Sequence, residues 1–320
     1  MSDILPSTID PGIPQIPVGT HFFNQRYLYA FATQAEVLQH IRTQALDNEK
    51  STQAQIMESW EKLQPRVLQM LSDETGLAET IQVQAIPPEY EPILQQYGAN
   101  PLFQRNFSNL PTCFAIVEID KLIAAQRTVN QNYSEKLVDS FPKNLQMADL
   151  LPICVDPTRT MDPIQHLEVA PNYHVFSSQN SDIRFLGTFQ KNLSPDDLNY
   201  AIMGGIPAAA IITFIGYGAS PINVFQVGSR IILNNGFHRI YALRSIGITH
   251  IPVVLQVVQN PTLEFPPSVA GLPKEYLLGS PRPVMIKDFF EPDFAITLRI
   301  KERIKVVTLG SSLSQYDVPV

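Results

Sequence analysis

Ile231-Ile-Leu-Asn-Asn-Gly-Phe-His-Arg-Ile-Tyr-Ala-Leu-Arg-Ser-Ile-Gly247 is the stretch on which the reading of this chain turns. It begins as an apolar strand, passes through an Asn234-Asn235-Gly236 turn, and continues as a helix with His238 and Arg239 in its first turn. A second strand, Ile251-Pro-Val-Val-Leu255, follows within a few residues. A helix start displays unpaired backbone N–H groups and the positive end of the helix dipole. Gly236 lets the backbone approach an anion closely, and Arg239 adds a planar, permanently charged fork. The pattern predicts a phosphate or carboxylate site built from Asn235, Gly236, Phe237, His238 and Arg239.

Each of these residues also has a purely structural use. Asn234 and Asn235 are turn formers first, and Gly236 by itself satisfies a turn of positive φ. His238 is evenly balanced between an anion contact and packing within the turn, with one ring nitrogen on a backbone carbonyl. For Arg239 the alternative is an ion pair with Asp196 or Asp197. Arg184, in Asp182-Ile-Arg-Phe-Leu-Gly187, is a second candidate phosphate contact, and its alternative is a surface ion pair.

Working outward, the 320 residues are enough for about two domains of ~150 residues each, and 44% of them are hydrophobic. This is the composition of a soluble globular chain rather than a disordered one. The net charge of −7, without a block of Lys or Arg, argues against a general nucleic-acid binder. Cys113 and Cys154 form no CxxC pair, so neither a disulfide framework nor a zinc site is expected. His166 and His174 lack a third ligand at recognisable spacing, and no metal is assigned. Met1–Gly19 carries prolines and acidic residues where a targeting signal would be basic and then apolar, so a cytoplasmic location is expected. Residues 198–229 contain no charge, but their glycines and prolines preclude a continuous membrane helix, and a buried strand pair is expected.

The chain divides into a Pro-rich leader (1–19), a helical extension and linker (20–112), an α/β unit (113–258) with an insertion (144–195), and a C-terminal extension (259–320). In the helical extension, Ala35, Leu38 and Ile41, and then Met57, Trp60, Leu63, Val67 and Leu71, predict two antiparallel helices with Trp60 in the core. Asp47-Asn48 marks the break between them, Pro65 is a kink point, and 83–112 reads as a turn-rich linker. The α/β unit should contain a helix over 133–140 and strands near 114–119, 211–215, 222–227, 230–233 and 251–256, joined as one small mixed sheet. Within the insertion, short strands are expected near 166–169 and 174–176, and Ser194-Pro195-Asp196-Asp197 reads as a helix start. In the C-terminal extension, alternation over 294–300 predicts a strand partnered by 305–309.

The ordered run from Ser220-Pro-Ile-Asn-Val through Gly236-Phe-His-Arg239 to Ile251-Pro-Val-Val-Leu255 resembles the ParB/sulfiredoxin-like domain. Val117-Glu-Ile-Asp-Lys-Leu122, followed by Gln126, is similar to that family's first strand, and the matched pieces span roughly a third of the chain. The resemblance implies an α+β fold, a small mixed sheet with packed helices, here flanked by an N-terminal helical extension and a C-terminal strand-containing one. Family members bind nucleotide and DNA, reduce sulfinic acids, or phosphorylate serine as a small molecule, so the fold alone does not decide the function. Sulfiredoxin chemistry would need a Cys where Phe237 stands. Metal-assisted phosphoryl transfer would want an acid where Asn235 stands. The C-terminal extension has no helix-turn-helix pattern, which argues against sequence-specific DNA reading.

Two expectations follow. The first is a protein that binds a nucleotide or phosphorylated metabolite, its cofactor left open with a nucleoside triphosphate and Mg²⁺ as one candidate, and weak phosphotransfer or nucleotide hydrolysis its enzymatic extension. The second is a non-catalytic scaffold using the same fold for protein contacts. The residues leave open whether any chemistry follows binding.

Overall fold

The computed structural model describes residues 22–46, 51–158, 162–178, 180, 182–194, 207–302 and 304–318. The described residues form two compact units, one built from those within 22–160 and 219–302, the other from those within 161–218 and 304–318. The leader, the Asp47-Asn48 break and the helix expected from Pro195 onward lie outside the described residues.

In chain order, the larger unit first contributes β1 (Phe22–Tyr27), α1 (Gln34–Gln44), α2 (Gln53–Asp73), β2 (Val83–Gln84), α3 (Glu91–Ala99) and α4 (Pro101–Phe107). It continues with β3 (Thr112–Glu118), β4 (Ile123–Ala124), β5 (Thr128–Asn130), α5 (Gln131–Ser140) and α6 (Met147–Val155). The smaller unit then supplies β6 (Gln165–Ala170), β7 (Tyr173–Ser178), β8 (Arg184–Asn192) and β9 (Ala209–Gly216). The larger unit resumes with β10 (Asn223–Val227), β11 (Arg230–Asn235), α7 (Phe237–Ser245), β12 (His250–Val257) and α8 (Pro261–Glu264). It closes with β13 (Ser268–Val269), β14 (Leu272–Pro273), α9 (Lys274–Gly279) and β15 (Ile296–Lys301), and β16 (Lys305–Gly310) returns to the smaller unit. The protein is therefore a mixed α/β chain of the α+β kind.

A six-stranded mixed sheet, ordered β2-β3-β12-β10-β11-β4, centres the larger unit. β12 lies inside it because Ile-Pro-Val-Val-Leu-Gln is buried along its length, which suits a strand covered on both faces. It runs antiparallel to β3 and parallel to β10, and α6 packs on it. β10 and β11 are joined through Gly228, whose φ of 59° is one that a residue with a Cβ adopts at a cost. The strands expected near 114–119, 222–227, 230–233 and 251–256 thus share one sheet.

The strand expected at 211–215 does not join them. It is β9, paired only with β8 in the smaller unit. The strand at 296–300 does not pair with 305–309 either. β15 pairs with β1, while β16 pairs with β7. Residues 20–82 open with β1 rather than with a helix, and β1 sits between β15 and β5 in a second, three-stranded sheet. The alternation in Phe22–Tyr27 is too short to outweigh the helical stripe after it, and only its distant partners stabilise it as a strand. The presumed linker 83–112 holds β2, α3 and α4, with Pro92 and Pro101 in first-turn positions where a missing N–H costs nothing.

α1 starts at Thr33 through a capping box: Glu36 N donates to the Thr33 hydroxyl, and Thr33 N donates to the Glu36 carboxylate at 2.7 Å. α2 runs unbroken through Pro65. Trp60 is half-buried against the core, and its indole N–H donates to Ala32 O at 3.1 Å. Among the described residues no helix is long and apolar enough to cross a membrane.

In the smaller unit, β6, β7 and β16 form one sheet, and β8 and β9 an isolated ribbon. His166 Nε2 and His174 Nδ1 meet at 3.1 Å across β6 and β7, with His166 stacked on Phe176. Among the described residues no group of three potential metal-ligating side chains is present.

A buried ion cluster closes the larger unit. Arg282 makes a two-pronged contact with Asp288 at 2.6 Å for both N–H···O bonds, both residues being fully buried, and also donates to Glu74 just past the end of α2. Removing one member of a buried pair strands the other charge, so Asp288→Ala is expected to lower the unfolding free energy by roughly 3–5 kcal/mol. Replacing both partners, Arg282→Met with Asp288→Leu, should restore much of that loss. Urea unfolding midpoints of the two variants check this.

Candidate functional site

α7 begins at Gly236, whose φ of 102° places it in the left-handed region. A Cβ there would lie 2.7 Å from Ile222 Cγ1, so both conformation and space require glycine. The helix runs nine residues, Phe237–Ser245, and no side chain caps its first turn. Phe237 is buried in the core beneath it.

The loop 219–222 wraps this turn. Asn235 Nδ2 donates to Ala219 O at 2.7 Å and to Pro221 O at 3.1 Å. Arg239 Nη2 donates to Ser220 O, and Arg239 Nη1 to Ile153 O at 2.9 Å. Ile153 and Cys154 belong to the last turn of α6, and Ile222 N takes the Cys154 carbonyl at 2.6 Å. Two carbonyls that the end of α6 would otherwise leave open are thus filled by an arginine and a backbone amide. A cation is favoured there by the negative end of the helix dipole.

The guanidinium expected to hold an anion is instead turned onto the protein's own backbone. Arg239 is only 8% exposed, and its guanidinium acts as a clasp on two backbone carbonyls. Asp196 and Asp197 lie outside the described residues. Ser220 is the residue the motif did not reveal: it is 7% exposed, and its hydroxyl is buried without a hydrogen-bond partner. A serine before a proline is an unremarkable sequence signal, and only the wrapping of the loop gives it meaning.

His238 faces α5. Its Nε2 accepts the backbone N–H of Asn130 at 3.2 Å, while the Asn130 side chain caps α5 by accepting from Tyr133 N at 3.0 Å. The Tyr133 ring stands edge-on to the imidazole at 5.2 Å. An accepting Nε2 places the ring proton on Nδ1. Burial, and then the Arg239 charge, push the His238 pKa down from 6.5 to about 4. The ring is neutral near pH 7, which removes it as a cationic anchor for an anion.

Arg184 belongs to the smaller unit. Its guanidinium pairs with the Asp182 carboxylate, whose other oxygen accepts from Gly218 N at 2.8 Å. Asn235, Gly236, Phe237, His238 and Arg239 therefore share one turn, of which the helix start, capped by no side chain, and the Ser220 hydroxyl are the features suited to an anion. Comparison with protein-family models, with curated proteins and with solved structures finds no match for this chain.

Two stability outcomes follow. Arg239→Ala leaves two carbonyls without their donor and is expected to cost roughly 2–6 kcal/mol at 1–3 kcal/mol per orphaned group, read from the urea midpoint. His238 has a depressed pKa when folded, so the unfolded chain binds more protons between about pH 4 and 6.5. The stability it contributes is complete above about pH 6.5 and falls away by roughly 3 kcal/mol as the pH drops through this window. His238→Gln, which keeps an acceptor for Asn130 N, should flatten that part of the stability–pH curve.

Proposed function

We propose that the larger unit is a ParB/sulfiredoxin-like domain that binds a nucleotide or other phosphorylated small molecule at the start of α7. The observation that carries this reading is the pairing of an uncapped helix start at Gly236 with the buried, partnerless Ser220 hydroxyl in the loop clasped over it. The dipole at this helix start favours the charge of a phosphate, and the Ser220 hydroxyl would supply it a donor. Arg239 and Asn235 act here as positioning residues that hold the loop, and His238 as a neutral donor through Nδ1–H. Phosphotransfer or nucleotide hydrolysis would need an acid or metal supplied beyond these residues, so binding is the activity proposed.

A second reading, a scaffold making protein contacts, is favoured by the β8–β9 ribbon. Its Phe189 and Phe214 stack at 5.4 Å while both remain exposed, and Ile211 is 78% exposed. An isolated two-stranded ribbon gains most of its stability from what covers it.

Ser220→Ala separates ligand binding from folding. The variant loses an unsatisfied buried hydroxyl, so the free protein should be as stable as wild type or more so. Its affinity for the ligand should fall roughly three- to tenfold, the worth of one hydrogen bond of about 0.5–1.5 kcal/mol. Calorimetric titration of ATP, CTP and inorganic phosphate, with and without Mg²⁺, reads this. Equal affinities in the two proteins would reject the assignment of Ser220, and no binding by either would leave the scaffold reading.

A further inference from the structure

A chain of four amides threads the other side of β10, β11 and β12. Asn234 Nδ2 donates to Asn223 Oδ1 at 2.5 Å, Asn223 Nδ2 to Gln256 Oε1 at 2.8 Å, and Gln256 Nε2 to Asn109 Oδ1 at 3.4 Å. Asn223 and Gln256 are 2% and 5% exposed, so the middle of the chain is sealed in the protein. The register of β10 on β11 shifts between Asn223 and Val224, which makes Asn234 the extra residue of a bulge. A bulge re-aims a side chain out of the regular alternation. Asn235, the next residue, turns instead to Ala219 and Pro221.

The chain runs head to tail, so each amide polarises the next. It leaves an unused carbonyl oxygen on Asn234 at one end and an unused amino group on Asn109 at the other. Asn109, Asn234 and Gln256 all line the same open groove of about 440 Å³. Beside Asn106, the groove has an aromatic and proline wall: Phe225 and Phe265, edge to face at 5.5 Å, with Pro266 and Pro267 next to them. No Lys, Arg or His lines the groove among the described residues, and Glu264 stands at its rim with two backbone amides on one carboxylate oxygen. An anionic ligand would meet a like charge and no cation.

We propose that this groove binds an uncharged planar ring with an amide-type edge, a carboxamide or a lactam. Asn234 Oδ1 accepts from its amide N–H at one end of the groove, Asn109 Nδ2 donates to an acceptor across the ring at the other end, and the ring packs against the aromatic and proline wall. A buried polar array is favourable only when its members are satisfied, and this one is satisfied internally while keeping one donor and one acceptor for a partner. Specificity follows from the same arrangement, because a ligand that lacks either group leaves an amide unpaired. The site is independent of the anion site proposed at α7.

Nicotinamide and its anionic isostere nicotinate are suitable probes, titrated into the full chain by ligand-observed NMR. Nicotinamide is expected to bind in the millimolar range, with nicotinate about tenfold weaker or more, for the loss of one hydrogen bond and repulsion by Glu264. Asn109→Ala, at an exposed position, should weaken nicotinamide roughly three- to tenfold. Leu263→Trp, at an exposed rim position, should fill the groove and abolish binding. Ser220→Ala should change none of these values. Equal affinity for the two probes, unchanged nicotinamide binding in both groove variants, or no binding of nicotinamide would overturn the proposal.

Discussion

The larger unit depends on how Arg239 uses its charge. A guanidinium in the first turn of a helix ordinarily sits beside the positive end of that helix's dipole, an unfavourable place unless something negative is near. Here protein backbone supplies negative partial charge: the last turn of α6 and the carbonyl of Ser220. One side chain therefore ties the end of α6, the loop before β10 and the start of α7 to each other. The tightness of that junction makes Gly236 obligatory, since the loop brings Ile222 to where a Cβ would be. It also aligns β10, because Ile222 donates to Cys154 O and accepts from Val254 N on either side of the junction.

This arrangement separates what was legible in the chain from what was not. The Asn-Asn-Gly turn, the helix after it and the apolar strands on both sides are local events, decided by turn chemistry and periodicity within a few residues. The destination of Arg239 is not local. Its acceptors lie 86 and 19 residues away, and backbone carbonyls carry no sequence signature at all. The same limit explains the strand partners. The pattern in 294–300 correctly marks a strand, yet β15 pairs with β1 almost at the other end of the chain, while β16, a few residues on, belongs to the other unit. A hydrophobic period states that a strand has a buried face, and it does not name the neighbour that buries it. The helical stripe hid β1 for the same reason: the strand has meaning only against β5 and β15.

Buried polar groups in the larger unit fall into two kinds. Arg282, Asp288, Glu74 and Lys287 form a cluster in which every charge meets an opposite one, and the Asp288 carboxylate also takes Met285 N at 2.7 Å. Such a cluster is self-contained, and its physical effect is to fix the segment after α9 against the end of α2. It offers nothing to a ligand, because the donors and acceptors inside it are spent. The amides of Asn109, Gln256, Asn223 and Asn234 are uncharged and unequal at their two ends. An amide has two donors and an acceptor with two lone pairs, so a linear chain of amides necessarily finishes with groups to spare.

The end of β11 is where these two lines of reasoning meet. Asn234 and Asn235 are adjacent and chemically identical, and a regular strand would send them to opposite faces with equal consequence. The bulge at Asn234 lets it close the amide chain above the groove, while Asn235 ties down the 219–221 loop over the start of α7. The extra residue therefore does two things at once: it shifts the β10–β11 register, so that Asn235 pairs with Asn223, and it precedes the left-handed Gly236 where the helix begins. A dipeptide that reads in sequence as turn punctuation thereby becomes the divide between the two faces of the sheet. On one face lie neutral amides beside an aromatic and proline wall, and on the other lie backbone amides at a helix start. Groups of such different chemistry suit an uncharged ring on the first face and an anion on the second.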